Sequence, residues 1–237
     1  MTAKLGVRTA TGDNEGEIVE TKSTVGIQLE KIQQVINQFI GDIQQIPPMF
    51  SALKHQGKPL YELARKGIEV VREPRAVKIF SLSIESFVND ELSLRVHCSK
   101  GTYIRTLVED IGAQLGCGAH VIRLRRPKVS PYSEAFMHTL PELQKIAETA
   151  GLNNLDACLL PIETAVQTLP AVKLSTAAAF YIRTGQPVRM NFISDSLTLR
   201  LFSEDGRFLG VGEVMSDGRV KPQRLLSSLP SVDERGM

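Results

Sequence analysis

The amino-acid sequence predicts an α+β fold: a mixed, mostly antiparallel sheet with flanking helices, followed by a small β-rich C-terminal domain. Apolar residues recur at helical spacing from Ile32 to Ile40 and from Ile104 to Leu115. Residues 92–98 alternate apolar and polar side chains, as a half-buried strand does. After Pro170, short apolar runs are separated by two Asp-Gly pairs, which are strong hairpin signals.

The N-terminal part of the chain is predicted to contain two strands and two helices. Residues 1–7 and 17–21 have strand character and flank a polar loop. The amphipathic helix that includes Ile32 should end near Gly41, since glycine is the common residue at helix ends. Residues 46–50 should be extended, because a residue before proline avoids helical angles, and a shorter helix should run from Pro59 to Gly67.

The middle of the chain is predicted to form a hairpin, a helix and one more strand. A strand at 76–87 turns at Asn89-Asp90 into the alternating strand that ends at Cys98. A helix starts at about Thr102 and ends at Gly116. Residues 121–130 then predict a strand on which Arg123 and Arg125 share one face and Leu124 occupies the other. Thr139 and Glu142 have the spacing of a capping box.

The domain organisation follows from a change of pattern after residue 152. We predict a first domain at 1–152, a linker at 153–169 and a small β-rich domain at 170–233. A short helix at 177–183 and hairpins at 204–206 and 216–218 belong to the second domain. The 237 residues, 42% of them hydrophobic, are enough for one ordinary domain and one small one.

Composition and motifs exclude several classes of chemistry. The three cysteines are widely spaced and the four histidines are dispersed, so neither a disulfide scaffold nor a metal site is expected. Phosphate-binding glycine loops and hydrolase motifs do not occur, so no nucleotide cofactor is expected. No apolar stretch is long enough to cross a membrane and no secretory signal is present, so we expect a cytoplasmic protein.

The segment Lys100 to Thr106 is the first candidate site. It turns the chain from a strand into a helix, and helix N-termini present free N–H groups that suit anions. Tyr103 could stack on a base and Arg105 could hold a carboxylate or phosphate with two hydrogen bonds. Alternatively, Tyr103 covers the core and Arg105 is a solvated surface charge.

Two basic clusters are candidate nucleic-acid contacts, although the net charge of the chain is only +2. Residues 51–78 carry seven cations against three glutamates and few large apolar residues, which predicts an excursion that grips RNA. The second cluster is His120, Arg123, Arg125, Arg126 and Lys128, which predicts a ridge that contacts phosphates. Both clusters could instead be ordinary charged surface. The predicted RNA-binding residues are Lys54, Lys58, Arg65, Lys66, His120, Arg123, Arg125 and Arg126.

The chain resembles the bacterial TruB family, the tRNA pseudouridine-55 synthases, nearly from end to end. The resemblance rests on several specific segments in the same order. They are LGVRT at 5–9 with the loop DNEG at 13–16, QIPPMFSALK at 45–54, GKPLYE at 57–62, HCSKGTYIRT at 97–106, LGCGAHV at 115–121 and LRR at 124–126. The family isomerises uridine to pseudouridine in the T loop of tRNA without a metal or organic cofactor, after flipping the base out of the loop.

The resemblance implies a role for several positions. Tyr103 matches the tyrosine that packs against the flipped base, Arg105 the arginine that pairs with the catalytic aspartate, and Leu124 an apolar residue of the uridine pocket. Lys100 is expected to contact the substrate as well. Residues 51–75 match the mobile RNA-gripping insertion, and 170–233 resemble the RNA-binding domain of the PUA type. The partner is therefore the T arm of tRNA, bound by a single copy of the chain.

One family motif is not found among the 237 residues. The catalytic aspartate lies in a segment of the form GxLDPxATGxLP, and no Asp-Pro pair occurs here; the run Ala10-Thr11-Gly12 is not preceded by Leu-Asp-Pro. None of Asp13, Asp42, Asp90, Asp110 and Asp156 has the required context, and Asp110 is expected to be solvated. Arg105 would therefore be the partner of a carboxylate that these residues do not supply. The chain alone is expected to be inactive and to expose a sheet edge and apolar surface.

Two other functions fit the same residues. A non-catalytic tRNA-binding or tRNA-folding protein would need only the parts that grip RNA. A structural module would instead need a partner to supply further strands, which sedimentation with and without the missing peptide would reveal.

Overall fold

A computed structural model describes residues 1–190 and 196–226. The chain divides into two compact units, Met1–Arg126 and Pro127–Met237. The strands of the first unit are β1 (Thr2–Leu5), β2 (Val7–Thr9), β3 (Ile18–Thr21), β4 (Gly41–Gln45), β5 (Lys54–His55), β6 (Lys58–Pro59), β7 (Arg75–Val88), β8 (Glu91–Cys98) and β9 (Ala119–Arg123). Its helices are α1 (Leu29–Asn37), α2 (Leu60–Ala64) and α3 (Ile104–Leu115).

The first unit is built on a five-stranded sheet with the order β4-β7-β8-β1-β9, in which all neighbours are antiparallel. β7 and β8 form the predicted hairpin. Its turn residues Asn89 and Asp90 both have positive φ, as the two central residues of a type I′ hairpin turn do. The alternation read from the sequence is confirmed, because Leu92 and Leu94 are fully buried.

The core of the first unit lies between this sheet and helices α1 and α3. Ile32 and Ile36 of α1 and Leu107 and Ile111 of α3 are at most 1% exposed and pack with the buried face of the sheet. The 3.6-residue spacing predicted both helices because each buries one stripe. α3 ends at Gly116, whose φ of 86° is left-handed.

One strand is shorter than predicted. β9 ends at Arg123, which pairs with Thr2 at the last position of the ladder between β9 and β1. Residues 124–128 have no strand partner in the part of the chain that the structure describes. The prediction that Arg125 and Leu124 alternate on a strand is therefore wrong, and Arg123 to Arg126 are all exposed.

The second unit has its apolar core only after residue 170. Its elements are α4 (Leu140–Ala150), α5 (Thr176–Arg183), β10 (Ala171–Lys173), β11 (Val188–Arg189), β12 (Thr198–Phe202), β13 (Phe208–Val214) and β14 (Arg219–Leu225). The five strands form a sheet of order β10-β12-β13-β14-β11, antiparallel except for the parallel pair β10–β12. Both predicted hairpins are confirmed, and the α+β class with a small β-rich C-terminal domain is confirmed with them.

Residues 127–169 are organised differently, since none of them is buried. Their helix α4 is closed at its start by the predicted capping box: Glu142 N–H donates to Thr139 Oγ1 at 3.4 Å and Thr139 N–H donates to Glu142 Oε2 at 2.6 Å. The predicted domain limits, 152 and 170, stay predictions, and the end of the second domain lies outside the described residues. None of the described helices is both long and apolar enough to span a membrane.

Candidate active site

The candidate site lies where β8 passes into α3. A tight turn at residues 99–102 joins them, closed by a hydrogen bond from Thr102 Oγ1 to Ser99 O at 2.9 Å. Gly101 has a φ of 85°, which a residue with a side chain rarely adopts. Tyr103 is the N-cap residue of α3 and is half-buried, and Arg105 follows in the first turn. Local sequence therefore sets both residues at a helix start, as predicted.

The Arg105 guanidinium is held by three residues from two separate parts of the chain. Nη1 donates to Asp13 Oδ2 at 2.9 Å and to Thr11 O at 3.1 Å. Nη2 donates to Phe50 O at 2.7 Å. The Arg105 and Asp13 side chains are only 25% and 27% exposed. Arg105 is thus a fixed, partly buried cation, and its reading as a solvated surface charge is wrong.

Asp13 is the residue that the sequence failed to select. It lies between β2 and β3, 92 residues before Arg105, and a bridge to Val121 of β9 places it beside the start of α3. Arg105 thus has a carboxylate partner that the sequence did not predict, and its role as partner of the catalytic aspartate stays a prediction. Asp13 lies in a family-like loop, but no local feature pairs it with Arg105, because that contact depends on strand pairing.

The Asp13 carboxylate is held ionised. Burial would raise its pKa, but the hydrogen bonds from Thr11 Oγ1 and from the Glu15 N–H, together with the positive charge of Arg105, lower it below the ordinary value. Oδ1 accepts from Thr11 at 2.5 Å and from Glu15 at 3.2 Å, while Oδ2 accepts from Arg105. Because both of its carboxylate oxygens already accept hydrogen bonds, Asp13 orients the guanidinium and is a poor nucleophile.

Tyr103 is anchored through its backbone by Gln45, the last residue of β4. The Tyr103 N–H donates to Gln45 Oε1 at 3.0 Å, and Gln45 Nε2 donates to Tyr103 O at 3.2 Å. The Gln45 side chain is 2% exposed. Sequence reasoning missed this residue, because the segment QIPPMFSALK begins with it but no local feature shows that its side chain reaches α3.

Two more carboxylates lie further along α3. Glu109 and Asp110 are half-buried and border a cleft of about 560 Å³, which Pro47 and Pro48 line from the opposite side. Burial raises the pKa of both carboxyl groups above their ordinary values, and for Glu109 the charge of Arg8 opposes the shift. The expectation that Asp110 is solvated is wrong, because this face of α3 is partly covered.

The basic insertion at 51–75 is largely exposed. It forms the short hairpin β5–β6 and then α2, and only Ser51 and Leu60 are buried in it. The Arg65 guanidinium lies 5.4 Å from the Tyr61 ring centroid. The four cations proposed to grip RNA are exposed and make no ion pair with the described residues: Lys54, Lys58, Arg65 and Lys66.

The other predicted contacts divide into two groups. Lys100, Arg123, Arg125 and Arg126 are exposed, and Leu124 is 54% exposed. No hydrogen bond or ion pair among the described residues joins any of them to Arg105 or Tyr103, so their roles stay predictions.

His120 is the exception. It is 5% exposed and its Nδ1 lies 2.9 Å from Val7 O. The predicted RNA contact for His120 is wrong, because this side chain is buried against Val7 of β2, on the face of β9 opposite Ala119 and Val121.

Residues 1–190 and 196–226 contain no group of three or more His, Cys, Asp or Glu side chains that could hold a metal ion. The cluster at the start of α3 consists instead of one guanidinium, one carboxylate, backbone carbonyls and an amide. Such an arrangement can bind and orient an anion or a carboxylate, and the adjacent tyrosine can contact a base.

Three family models match consecutive parts of the chain. They are the TruB family pseudouridylate synthase N-terminal domain at residues 1–104, the tRNA pseudouridylate synthase B C-terminal domain at 105–167, and the pseudouridine synthase II TruB C-terminal domain at 170–226. The first includes Asp13, Gln45 and Tyr103, and the second begins at Arg105. The matches therefore meet at the candidate site.

Proteins named tRNA pseudouridine synthase B are similar over almost the whole chain. The protein from Vibrio campbellii is 48% identical over 231 residues, which cover 94% of this chain and 73% of the relative. That from Aeromonas salmonicida is 46% identical over 241 residues, covering 99% and 75%.

Solved structures show the same fold at lower identity. A Cbf5–Nop10–Gar1 complex matches with a TM-score of 0.63 at 22% identity, over 94% of this chain and 65% of that chain. An H/ACA RNP bound to a substrate RNA containing 2′-deoxyuridine matches with a TM-score of 0.62 at 20% identity, over 95% of this chain and 66% of that chain. From the family models and the similarity to the Vibrio and Aeromonas proteins, the chain belongs to the TruB family of tRNA pseudouridine synthases.

Proposed function

We propose that this chain binds the T arm of a tRNA and holds a flipped uridine beside Tyr103 and Arg105, for isomerisation to pseudouridine. The observation that carries the proposal is the Arg105 guanidinium, fixed at a helix start next to a half-buried tyrosine. Three of its five N–H donors are occupied. Nε and the second hydrogen of Nη2 have no partner among the described residues, so they remain for a carboxylate or a phosphate.

The exposed cations supply the RNA contacts. Flipping a base costs a few kcal/mol of stacking, which contacts elsewhere on the RNA must offset. The insertion carries four exposed cations suited to phosphates of the stem, Lys54, Lys58, Arg65 and Lys66. When such cations neutralise phosphates, the counterions condensed on the RNA are released, which favours binding. Arg123, Arg125 and Arg126 provide a second set, Lys100 lies at the approach to the site and Leu124 contacts the base.

The chemical step converts one isomer of the nucleoside into the other. The bond from C1′ to N1 breaks, a bond from C1′ to C5 forms, and C5 loses a proton while N1 gains one. We propose that the carboxylate for this step lies outside these 237 residues and binds the free donors of Arg105. Asp13 does not replace it, because its oxygens already accept three hydrogen bonds.

A tritium-release assay tests both parts of this proposal. A T-arm hairpin labelled at C5 of its uridines loses tritium to water when the C1′–C5 bond forms. The purified 237-residue polypeptide should bind the hairpin, measured by fluorescence anisotropy, and release no tritium. A hairpin with the same stem and a scrambled loop is the control and should bind more weakly. Turnover would contradict the proposed inactivity, and equal affinity for both hairpins would contradict T-arm recognition.

A non-catalytic tRNA-binding or folding function is the second candidate. It is favoured by the Asp13–Arg105 pair, since Arg105 already has a carboxylate partner at 2.9 Å. Adding a peptide with the LDPxATG motif discriminates the two functions. Restored tritium release supports the synthase, and binding that accelerates tRNA folding without release supports the alternative.

A further inference from the structure

Gln45 makes a two-point contact with the backbone of Tyr103. Its amide oxygen accepts from the Tyr103 N–H at 3.0 Å, and its amide nitrogen donates to Tyr103 O at 3.2 Å. The two residues are 58 positions apart, so the contact joins the end of β4 to the start of α3. Because the side chain is 2% exposed, water cannot replace either partner without opening the core.

This contact takes the place of a helix cap. The N-cap residue of α3, Tyr103, makes no side-chain capping bond. Its N–H is one of the free donors at a helix start, and Gln45 satisfies it from outside the helix. Tyr103 O accepts both from Gln45 and from Leu107 N–H at 3.0 Å, which is the first hydrogen bond of the helix. Gln45 therefore fixes where α3 begins.

The same segment also reaches Arg105. Residues 46–50 follow Gln45 without regular secondary structure, and Phe50 O accepts from Arg105 Nη2 at 2.7 Å. Pro47 and Pro48 stiffen the segment between these two contacts. One end of the segment holds Tyr103 and the other holds Arg105, and the next residue, Ser51, begins the basic insertion.

We infer that Gln45 is a positioning residue, which sets the Tyr103 ring against the flipped uridine by fixing the first turn of α3. This role rests on the proposed function, in which Tyr103 contacts that base. Gln45 itself does not touch the substrate. Its neighbour Gln44 is exposed and has no hydrogen bond to α3, so it is a natural control.

The first test uses a T-arm hairpin that carries one 5-fluorouridine at the target position. The ¹⁹F resonance reports the ring environment of that base, and fluorescence anisotropy of the same hairpin reports overall binding. The change Gln45→Met keeps the length of the side chain and removes both hydrogen bonds. The fraction of bound RNA with the shifted ¹⁹F signal should fall about tenfold, as expected for the loss of one to two buried hydrogen bonds. Overall affinity should change less than threefold.

Two control variants show which side chains the shifted ¹⁹F resonance depends on. Tyr103→Leu should abolish the shifted resonance, and Gln44→Met should leave it as in the wild type. Circular dichroism verifies that each variant is folded. A general structural role for Gln45 would lower overall binding and the base signal together, whereas a positioning role lowers the base signal alone.

A second variant keeps the inference testable even if Gln45→Met unfolds. In Gln45→Glu, a protonated carboxyl can accept from the Tyr103 N–H and donate to Tyr103 O, as the amide does. The ionised form can only accept, and it faces Tyr103 O without a proton. Burial should raise the pKa of this carboxyl, so the ¹⁹F signal should recover as the pH falls from 8 to 5. Asp13, Arg105 and Glu109, which interact electrostatically at the site, are the same in both proteins, so a parallel wild-type titration subtracts their contribution.

The outcomes separate this inference from the proposed function. A wild-type chain that binds the hairpin but shows no shifted ¹⁹F signal overturns both. A wild-type signal that persists in Gln45→Met, or one that does not recover with acid in Gln45→Glu, overturns the positioning role alone. A selective loss in the first variant and recovery in the second establish it.

Discussion

The start of α3 and the insertion at 51–75 are held in contrasting ways. At the start of α3, Tyr103 and Arg105 are half-buried and are fixed by hydrogen bonds with residues 11, 13, 45 and 50. In the insertion, only two residues are buried and the cations point to solvent without ion pairs among the described residues, apart from Arg72. The first region depends on geometry set by distant parts of the chain, and the second on local charge.

This difference separates the expected effects of substitutions. Changes around α3 should alter the free energy of unfolding and the environment of the target base together. Changes in the insertion should alter the salt dependence of RNA binding and leave stability unchanged. Each of the following substitutions tests that separation.

The largest effect is expected from Gly112→Ala. A Cβ at this position would lie 2.3 Å from the backbone nitrogen of Ala119, where α3 crosses β9. Neither backbone can yield without shifting α3 on the sheet, so we expect a loss of about 3 kcal/mol in the free energy of unfolding. Urea denaturation measures it. Ala113→Gly, at an exposed position of the same helix, should cost only about 1 kcal/mol. Equal losses would show that the close approach does not matter.

Arg105→Lys should have the next largest effect. Lysine keeps the charge but cannot bridge Asp13, Thr11 O and Phe50 O. Its N–H donors all lie on one nitrogen, whereas those of arginine are spread over a planar guanidinium. We expect a loss of about 2 kcal/mol, since partly buried acceptors lose their partners. The ¹⁹F signal of the flipped base should also weaken. Unchanged stability in urea denaturation would mean that this network is dispensable.

Asp13→Asn tests the charge of the same network through pH. Because the folded state lowers the pKa of Asp13, its stabilising contribution is present above about pH 4 and is lost as the pH falls through the folded pKa. The variant should be about 1 kcal/mol less stable than the wild type at pH 7. Thermal unfolding across pH 2–7 should show the two curves converging in acid.

The control for Asp13 is Asp42→Asn. The Asp42 side chain is 80% exposed and lies 3.4 Å from Lys78. An exposed pair of this kind contributes little, so its variant should follow the wild-type curve at every pH. If the stability curves of Asp13→Asn and the wild type stayed parallel from pH 7 to pH 2, the ionised state assigned to Asp13 would be contradicted.

The smallest effect on stability is expected from replacing Lys54, Lys58 and Lys66 by glutamine. Their side chains are exposed, so the unfolding transition should not move. The slope of log affinity against log salt concentration should fall by about 2 to 3, one for each lost phosphate contact. A control triple variant replaces three exposed cations outside residues 51–78, Lys31, Arg95 and Lys145. If the salt-dependence slope fell equally in both triple variants, the insertion would have no special role in RNA binding.

Periodic patterns in the sequence predicted most of the fold. The alternation at 92–98, the helical spacing in α1 and α3, and the Asp-Gly turns each depend on neighbours within a few residues, and all are confirmed. The end of β9 was predicted wrongly, because a strand ends where its partner does, and that partner is β1. The prediction for His120 failed because Val7 of β2 covers this side chain, so both faces of β9 are buried there.

The family, a helix start near Thr102 and the exposed cations of the insertion could be predicted from the sequence, because they follow from segments in which the informative residues are adjacent. The contacts of Asp13 with Arg105 and of Gln45, rather than Gln44, with Tyr103 emerge only from the folded chain. Those partners lie 92 and 58 positions away along the chain. A hydrogen bond depends on distance in space, and the register of the sheet, which no single segment specifies, brings these atoms together.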